Sequence, residues 1–238
     1  MTGLTRPGDW VGPATPARPQ SSARNQRHSL AGVLADPRMR LAAGTAVMLV
    51  TAMEARRDRV STWEATAFRM VNDLPDALYP PAWTIMQLGT LGAAPVAAGA
   101  AWLSGDRQLA GRLLVGGTAA WALSKLVKRM VRRPRPAILL PGTHRRGRDA
   151  AGLGYPSGHA GVVVVLGAAA LPRLGRAGRV LTLSAIPAVS LTRVYVGAHL
   201  PLDIAGGAAL GLAIDAALAL AQSPARPPPR WRKTSAAG

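Results

Sequence analysis

An all-α, polytopic membrane bundle of about six transmembrane helices is the fold class the sequence predicts, and three observations carry it. Of the 238 residues, 49% are hydrophobic and only 17% charged. Three short stretches carry 16 of the 18 net positive charges: residues 1–40 hold six Arg against two Asp, residues 223–238 hold three Arg and one Lys, and residues 128–148 hold eight cations. What lies between is nearly neutral and divides into six apolar runs close to membrane length.

Each element follows in order. Residues 1–37 are Pro- and Arg-rich and lack the apolar core of a signal peptide, so they are expected to form a disordered basic tail in the cytosol. The first span, 41–53, is apolar for 13 positions between Arg40 and Glu54 and needs snorkelling ends or a locally thinned bilayer. Thr62–Val71 mixes apolar and polar residues as an interfacial helix does. Asn72-Asp73-Leu74-Pro75 and Pro80-Pro81 form the turn into the second span, Pro81–Gly105, which has no charge over 25 positions and can cross roughly 30 Å of hydrocarbon. Trp83 and Trp102 stand at its ends, where interfacial aromatics belong. Spans three to six cover about 109–127, 158–175, 178–196 and 202–222, with end charges snorkelling. Small residues such as Gly206, Gly207 and Gly211 suit close helix crossings in lipid. A second basic tail covers 223–238, leaving 38–222 as the folded domain.

Composition also excludes function classes. Zero cysteines remove disulfide scaffolds, thiolate metal sites and cysteine nucleophiles. An even span number puts both termini on one side, yet Lys and Arg number 15 on that side and 14 on the other, so the positive-inside rule does not set the orientation. Eight of the 14 lie in 128–148. That density suggests an anionic ligand, with phosphate the obvious candidate, or else a basic loop resting on lipid headgroups. The tails carry little aromatic interleaving beyond Trp10 and Trp231, so no nucleic-acid partner is expected.

Three clusters can do chemistry. Tyr155-Pro156-Ser157-Gly158-His159 directly precedes an apolar run, so free backbone N–H groups of a helix start make an anion site, with His159 in the first turn able to donate a proton. Arg193 to Asp203 opens the last span. If its first turn includes position 199, His199 and Asp203 share a face at i and i+4, a carboxylate orienting a nucleophilic imidazole. Lys128-Arg129-Met130-Val131-Arg132-Arg133-Pro134-Arg135-Pro136 ends the third span, where Arg135 offers a planar fork for phosphate oxygens and Lys128 a point charge. Short loops between the spans bring all three clusters to the same side. His28 and His144 read as solvated. Asp215 lies about 18 Å deeper along its helix than Asp203 and reads as a packed, hydrogen-bonded residue in preference to a proton path.

On these residues the chain resembles the type 2 phosphatidic acid phosphatase (PAP2) superfamily, which includes glucose-6-phosphatase and vanadium haloperoxidases. The family's three-part signature is Lys, six residues, Arg-Pro; then Pro-Ser-Gly-His; then Ser-Arg, five residues, His, three residues, Asp. Lys128 with Arg135-Pro136, Pro156 to His159, and Arg193, His199 and Asp203 match it, and Thr192 replaces the serine. The resemblance implies a metal-independent phosphatase without a cofactor. His199 would attack phosphorus to form a phosphohistidine, Asp203 would orient it, and His159 would protonate the leaving oxygen. Lys128, Arg135, Arg193, the Ser157 hydroxyl and the Gly158 N–H would cradle the phosphate. Expected substrates are lipid phosphates or diphosphates such as undecaprenyl diphosphate, phosphatidate or phosphatidylglycerol phosphate. The six-span members also imply a site on the outer face of a bacterial cytoplasmic membrane with the tails inside.

Two other classes stand beside this reading. An intramembrane serine protease of the rhomboid kind would need Gly-x-Ser-Gly, which Gly154-Tyr155-Pro156-Ser157-Gly158 does not supply. A lipid-phosphate-binding protein that has lost turnover is the non-enzyme alternative, although no catalytic position is missing. Arg145, Arg146 and Arg148, outside the motifs, favour a diphosphate or a crowded anionic surface.

Overall fold

The computed structural model describes residues 36–57, 59–148 and 152–223. The basic tails, with Trp10, His28 and Trp231, fall almost wholly outside the described residues. Within them there is no strand, and eight helices of two turns or longer form the fold: α1 (Pro37–Ala55), α2 (Thr62–Asn72), α3 (Tyr79–Met86), α4 (Ala93–Leu103), α5 (Arg107–Val131), α6 (Gly158–Ala170), α7 (Arg176–Tyr195) and α8 (Pro201–Ala221).

Local chemistry sets the boundaries. Asp36 accepts the Arg38 N–H at 2.8 Å with Pro37 at the first helical position, starting α1. Asp106 does the same for α5 through the Leu109 N–H at 2.8 Å. At the far end of α5, Arg132 turns left-handed (φ 57°) and Pro134 follows, so the chain leaves the helix just before Arg135. Of the described helices, α8 is the one both long and apolar enough to cross a bilayer unaided. Large apolar side chains on other helices face outward, among them Val96, Leu103, Val115, Leu181 and Leu191, an arrangement suited to hydrocarbon.

The second expected span is not one helix. After α3 the chain makes a 3-10 turn at Gln87–Gly89, turns extended at Thr90 (ψ 164°), and resumes as α4. Gly89 stands at the break. A Cβ there would stand 2.8 Å from the His159 carbonyl oxygen and 2.7 Å from a Val189 methyl, so the bare backbone lets the start of α6 approach.

α8 packs on α1 and α6, and α5 on α4 and α6, around a core of Ala, Leu and Val that includes Ala94, Leu113, Val162, Val165 and Leu210. The α6–α8 crossing is backbone on backbone: a side chain at Gly207 would strike the Ser157 carbonyl, and one at Gly211 the Gly161 carbonyl. This crossing holds the beginning of α6 against the beginning of α8, where the motif residues sit.

Asp215 is fully buried on α8 and accepts from Arg40 of α1 at 2.6 Å and Arg112 of α5 at 2.5 Å. One carboxylate therefore ties three helices far from the motif residues. Replacing Asp215 by Asn leaves two largely buried guanidinium groups without a counter-charge, a loss of roughly 3 kcal/mol for a broken buried pair. The expected outcome in detergent is a melting temperature lower by about 5–10 °C, with turnover per folded molecule unchanged. Lost turnover at an unchanged melting temperature would instead assign Asp215 to a proton path.

Candidate active site

The loop between α5 and α6 is held in place by Lys128, whose Nζ donates to the carbonyls of Leu153 (2.9 Å) and Gly154 (2.6 Å). The Gly154 N–H returns to the Arg133 carbonyl at 2.8 Å. Ser157 then caps α6: its Oγ accepts the Ala160 N–H at 3.4 Å, and its own N–H donates to the Asp203 carbonyl at 2.8 Å. The N–H groups of Gly158 and His159 fall in the first helical turn, before intrahelical acceptors exist, and are free for an anion. Because its oxygen is the cap acceptor, the buried Ser157 hydroxyl keeps its proton to donate.

His199 sits in the turn between α7 and α8, which Gly197 permits with φ 73°; a side chain there would meet the His144 carbonyl. The N–H groups of Ala198 and His199 both donate to the Arg193 carbonyl, at 3.1 and 3.2 Å. Arg135 Nη1 donates to the Ala198 carbonyl at 2.6 Å, so both arginines brace the turn that bears the histidine. The His199 imidazole is 3% exposed, with Nδ1 3.5 Å from Asp203 Oδ2 and otherwise without a partner. Nε2 lies on the opposite edge of the ring from the carboxylate. Burial, joined by the charges of Lys128, Arg193 and Arg135, holds the imidazole well below its ordinary range. It is therefore neutral near pH 7, with a lone pair available.

All three clusters thus meet. Lys128, Arg193, Arg135 and His159 are each within electrostatic reach of His199, Asp203 lies directly behind it, and Ser157 and Gly158 begin the helix alongside. The Arg193 guanidinium rests 3.1 Å from the Met86 sulfur at the end of α3. A cleft of about 520 Å³ is lined by Arg135, Arg193 and Ala198 together with Tyr79, Trp83, Met86, Ile138, Arg145 and Arg148.

One feature departs from expectation. Arg146, grouped with the substrate cations on sequence, is a strut. Its Nη1 donates to the carbonyls of Asn72 and Tyr195 and its Nη2 to that of Leu74, each at 2.7 Å. Nε pairs with Asp76, and the guanidinium stacks 4.2 Å over the Tyr195 ring. The Thr192 hydroxyl donates back to the Val189 carbonyl at 2.8 Å within its own helix, a bond serine makes equally, so the departure from the motif leaves the site geometry intact. His144 is exposed as a side chain, while its backbone N–H and carbonyl both bind the Asn72 amide at 2.9 Å.

Sequence reasoning missed a buried charge group. Arg133, 2% exposed, donates to Glu64 of α2 through both nitrogens (3.0 and 2.6 Å) and to Asp203 Oδ1 at 3.0 Å. Burial opposes its charge, and Glu64 and Asp203 more than offset this, raising its pKa.

The chain is similar to the decaprenylphosphoryl-5-phosphoribose phosphatase of Mycobacterium tuberculosis, 38% identical over 102 residues, which is 42% of this chain and 54% of that protein. It thus spans about half the length of the curated relatives it matches. Its fold is similar to the crystal structure of a transmembrane PAP2-type phosphatidylglycerolphosphate phosphatase from Bacillus subtilis (TM-score 0.58, 17% identity, covering 74% of this chain and 94% of that one). It is likewise similar to that of Aquifex aeolicus LpxE (TM-score 0.61, 18% identity, covering 66% and 94%). The PAP2 superfamily model matches residues 109–227, a stretch that holds all three motif segments, and the chain belongs to the PAP2 superfamily.

Proposed function

We propose that the protein is an integral membrane lipid phosphatase that works through a phosphohistidine, without a metal or cofactor. The observation that carries this reading is the convergence of three sequence-distant motifs on one buried imidazole beside an arginine-lined cleft. His199 Nε2 attacks phosphorus as the bond to the lipid oxygen breaks, and His159 gives its proton to that oxygen. Asp203 takes up the positive charge that develops on His199 through Nδ1–H. Lys128, Arg135, Arg193, the Ser157 hydroxyl and the Gly158 N–H face the equatorial oxygens, where charge spreads in the transition state. Water then attacks the phosphohistidine with His159 accepting its proton, releasing inorganic phosphate and restoring His199.

The substrate headgroup carries a second anionic group next to the scissile phosphate. Arg145 and Arg148 in the lining of the same cleft support this, since a lone phosphate is already served by the three motif cations. So does the mycobacterial relative, whose name describes a polyprenyl phosphoryl group joined to a phosphoribose. Undecaprenyl diphosphate and phosphatidylglycerol phosphate meet the same requirement, and phosphatidate does not. The site faces the outside of a bacterial cytoplasmic membrane, with both tails in the cytosol.

In parallel assays, kcat/KM for decaprenylphosphoryl-5-phosphoribose, undecaprenyl diphosphate or phosphatidylglycerol phosphate is expected to exceed that for phosphatidate by about tenfold or more, the worth of one charge-assisted contact pair. Arg145→Ala with Arg148→Ala is expected to erase most of that margin. Equal efficiency on phosphatidate would overturn the second-anion requirement, and no release from any lipid would overturn the phosphatase reading.

A further inference from the structure

We infer that Glu64 and Arg133 are positioning residues that act through Asp203, so that the interfacial helix α2 sets the geometry of the catalytic pair. The inference rests on the phosphohistidine reading above and assigns function to two residues to which the motif pattern gives no role: Glu64, outside the motifs, and Arg133, at one of the six unspecified positions of the first.

Glu64, 1% exposed, grips Arg133 with both carboxylate oxygens, and its Oε1 also accepts the Leu202 N–H at 3.0 Å, in the first turn of α8. Arg133 Nη1 is shared between Glu64 Oε1 and Asp203 Oδ1, both at 3.0 Å. The other Asp203 oxygen, Oδ2, accepts the Leu200 N–H at 2.9 Å and is the one that lies 3.5 Å from His199 Nδ1. With Oδ1 pinned by Arg133 and Oδ2 by the backbone, the carboxylate has no free rotation, and the oxygen presented to the imidazole is fixed.

Packing alone does not require this arrangement. A Glu–Arg pair with two hydrogen bonds is complete in itself, and burying a further carboxylate against it adds a desolvation cost. What the third member gains is a divided cation. Arg133 is mostly committed to Glu64, so it holds Asp203 in place without neutralising it. Asp203 keeps negative charge to offer when His199 becomes cationic, and the 3.5 Å separation closes to a hydrogen bond at that moment. Removing the Glu64 charge hands Arg133 wholly to Asp203 and takes that charge away from the imidazole.

The test is a double-mutant cycle on the full-length protein in detergent, with the lipid phosphate it hydrolyses best. Glu64→Gln preserves shape and the Leu202 contact, and it is expected to lower kcat about 10- to 100-fold, the scale of a small misplacement of a catalytic group, with KM within about threefold. Rapid-quench formation of the phosphoenzyme is expected to slow by the same factor as kcat. In an Asp203→Asn background, Glu64→Gln is expected to have no further effect on kcat, because its route to His199 is already cut. Arg133→Lys, run through the same cycle, gives an independent result if Glu64→Gln does not fold. Additive losses in the Asp203→Asn background, or a wild-type kcat in Glu64→Gln, would overturn the inference while leaving the phosphatase reading intact. An inactive wild-type protein overturns that reading instead.

Discussion

His199→Ala is expected to lower phosphate release by about 10⁴-fold or more, the scale seen when a covalent nucleophile is deleted from a site that keeps its other groups. The loss should fall on kcat. Lys128, Arg135 and Arg193 still form the phosphate cradle in the variant, so lipid binding measured by competition should stay within a few-fold. Stability should change little, because the imidazole Nδ1 has no hydrogen-bond partner in the resting site and the turn that carries it is held by the Arg193 and Ala198 carbonyls. A folded His199→Ala protein with near-normal turnover would remove the nucleophile from the mechanism.

His159→Ala is the second large effect, and it differs in kind. Loss of a general acid costs about 10²- to 10⁴-fold, and the cost depends on how badly the leaving oxygen needs a proton. With a lipid alkoxide as leaving group, the variant should be nearly silent. With an aryl phosphate whose phenolate leaves unaided, phosphoenzyme formation should recover by an order of magnitude or more. His199→Ala should show no such recovery, and equal impairment of His159→Ala on both substrates would deny His159 the role of acid.

How much of this was readable without coordinates depends on the distance over which each signal acts. Helix existence was legible because it is local, carried by apolar runs and by Pro201 at the start of the last helix, while the Asp36 and Asp106 caps emerged only in the structure. The motif residues were legible because each cluster keeps fixed spacing, and short connections between spans bring them to one end. The break at Gly89 was not, since hydropathy averaged over 25 uncharged positions cannot register a helix that stops to admit the backbone of another. The differing fates of Arg133, Arg135 and Arg146 were equally hidden. In sequence all three are arginines in one basic stretch, yet one is buried between two carboxylates, one braces the His199 turn and one ties down carbonyls across a loop. Those assignments are made by partners 49 to 74 residues away, such as Tyr195, Glu64, Ala198 and Asn72, on elements whose relative placement no local pattern encodes. Asp215 sits between these cases: its burial followed from depth, but its two arginine partners did not.

Phosphoryl transfer to His199 is the central claim, and trapping the intermediate tests it most directly. Wild-type protein would be mixed in EDTA with a lipid phosphate labelled on the scissile phosphorus, quenched in alkali within the first turnover, digested and mapped. Label is expected on the peptide that contains His199, stable in alkali and lost in acid as a phosphoramidate bond requires, and absent from His199→Ala. Label on Ser157, or phosphate release that EDTA abolishes, would contradict it.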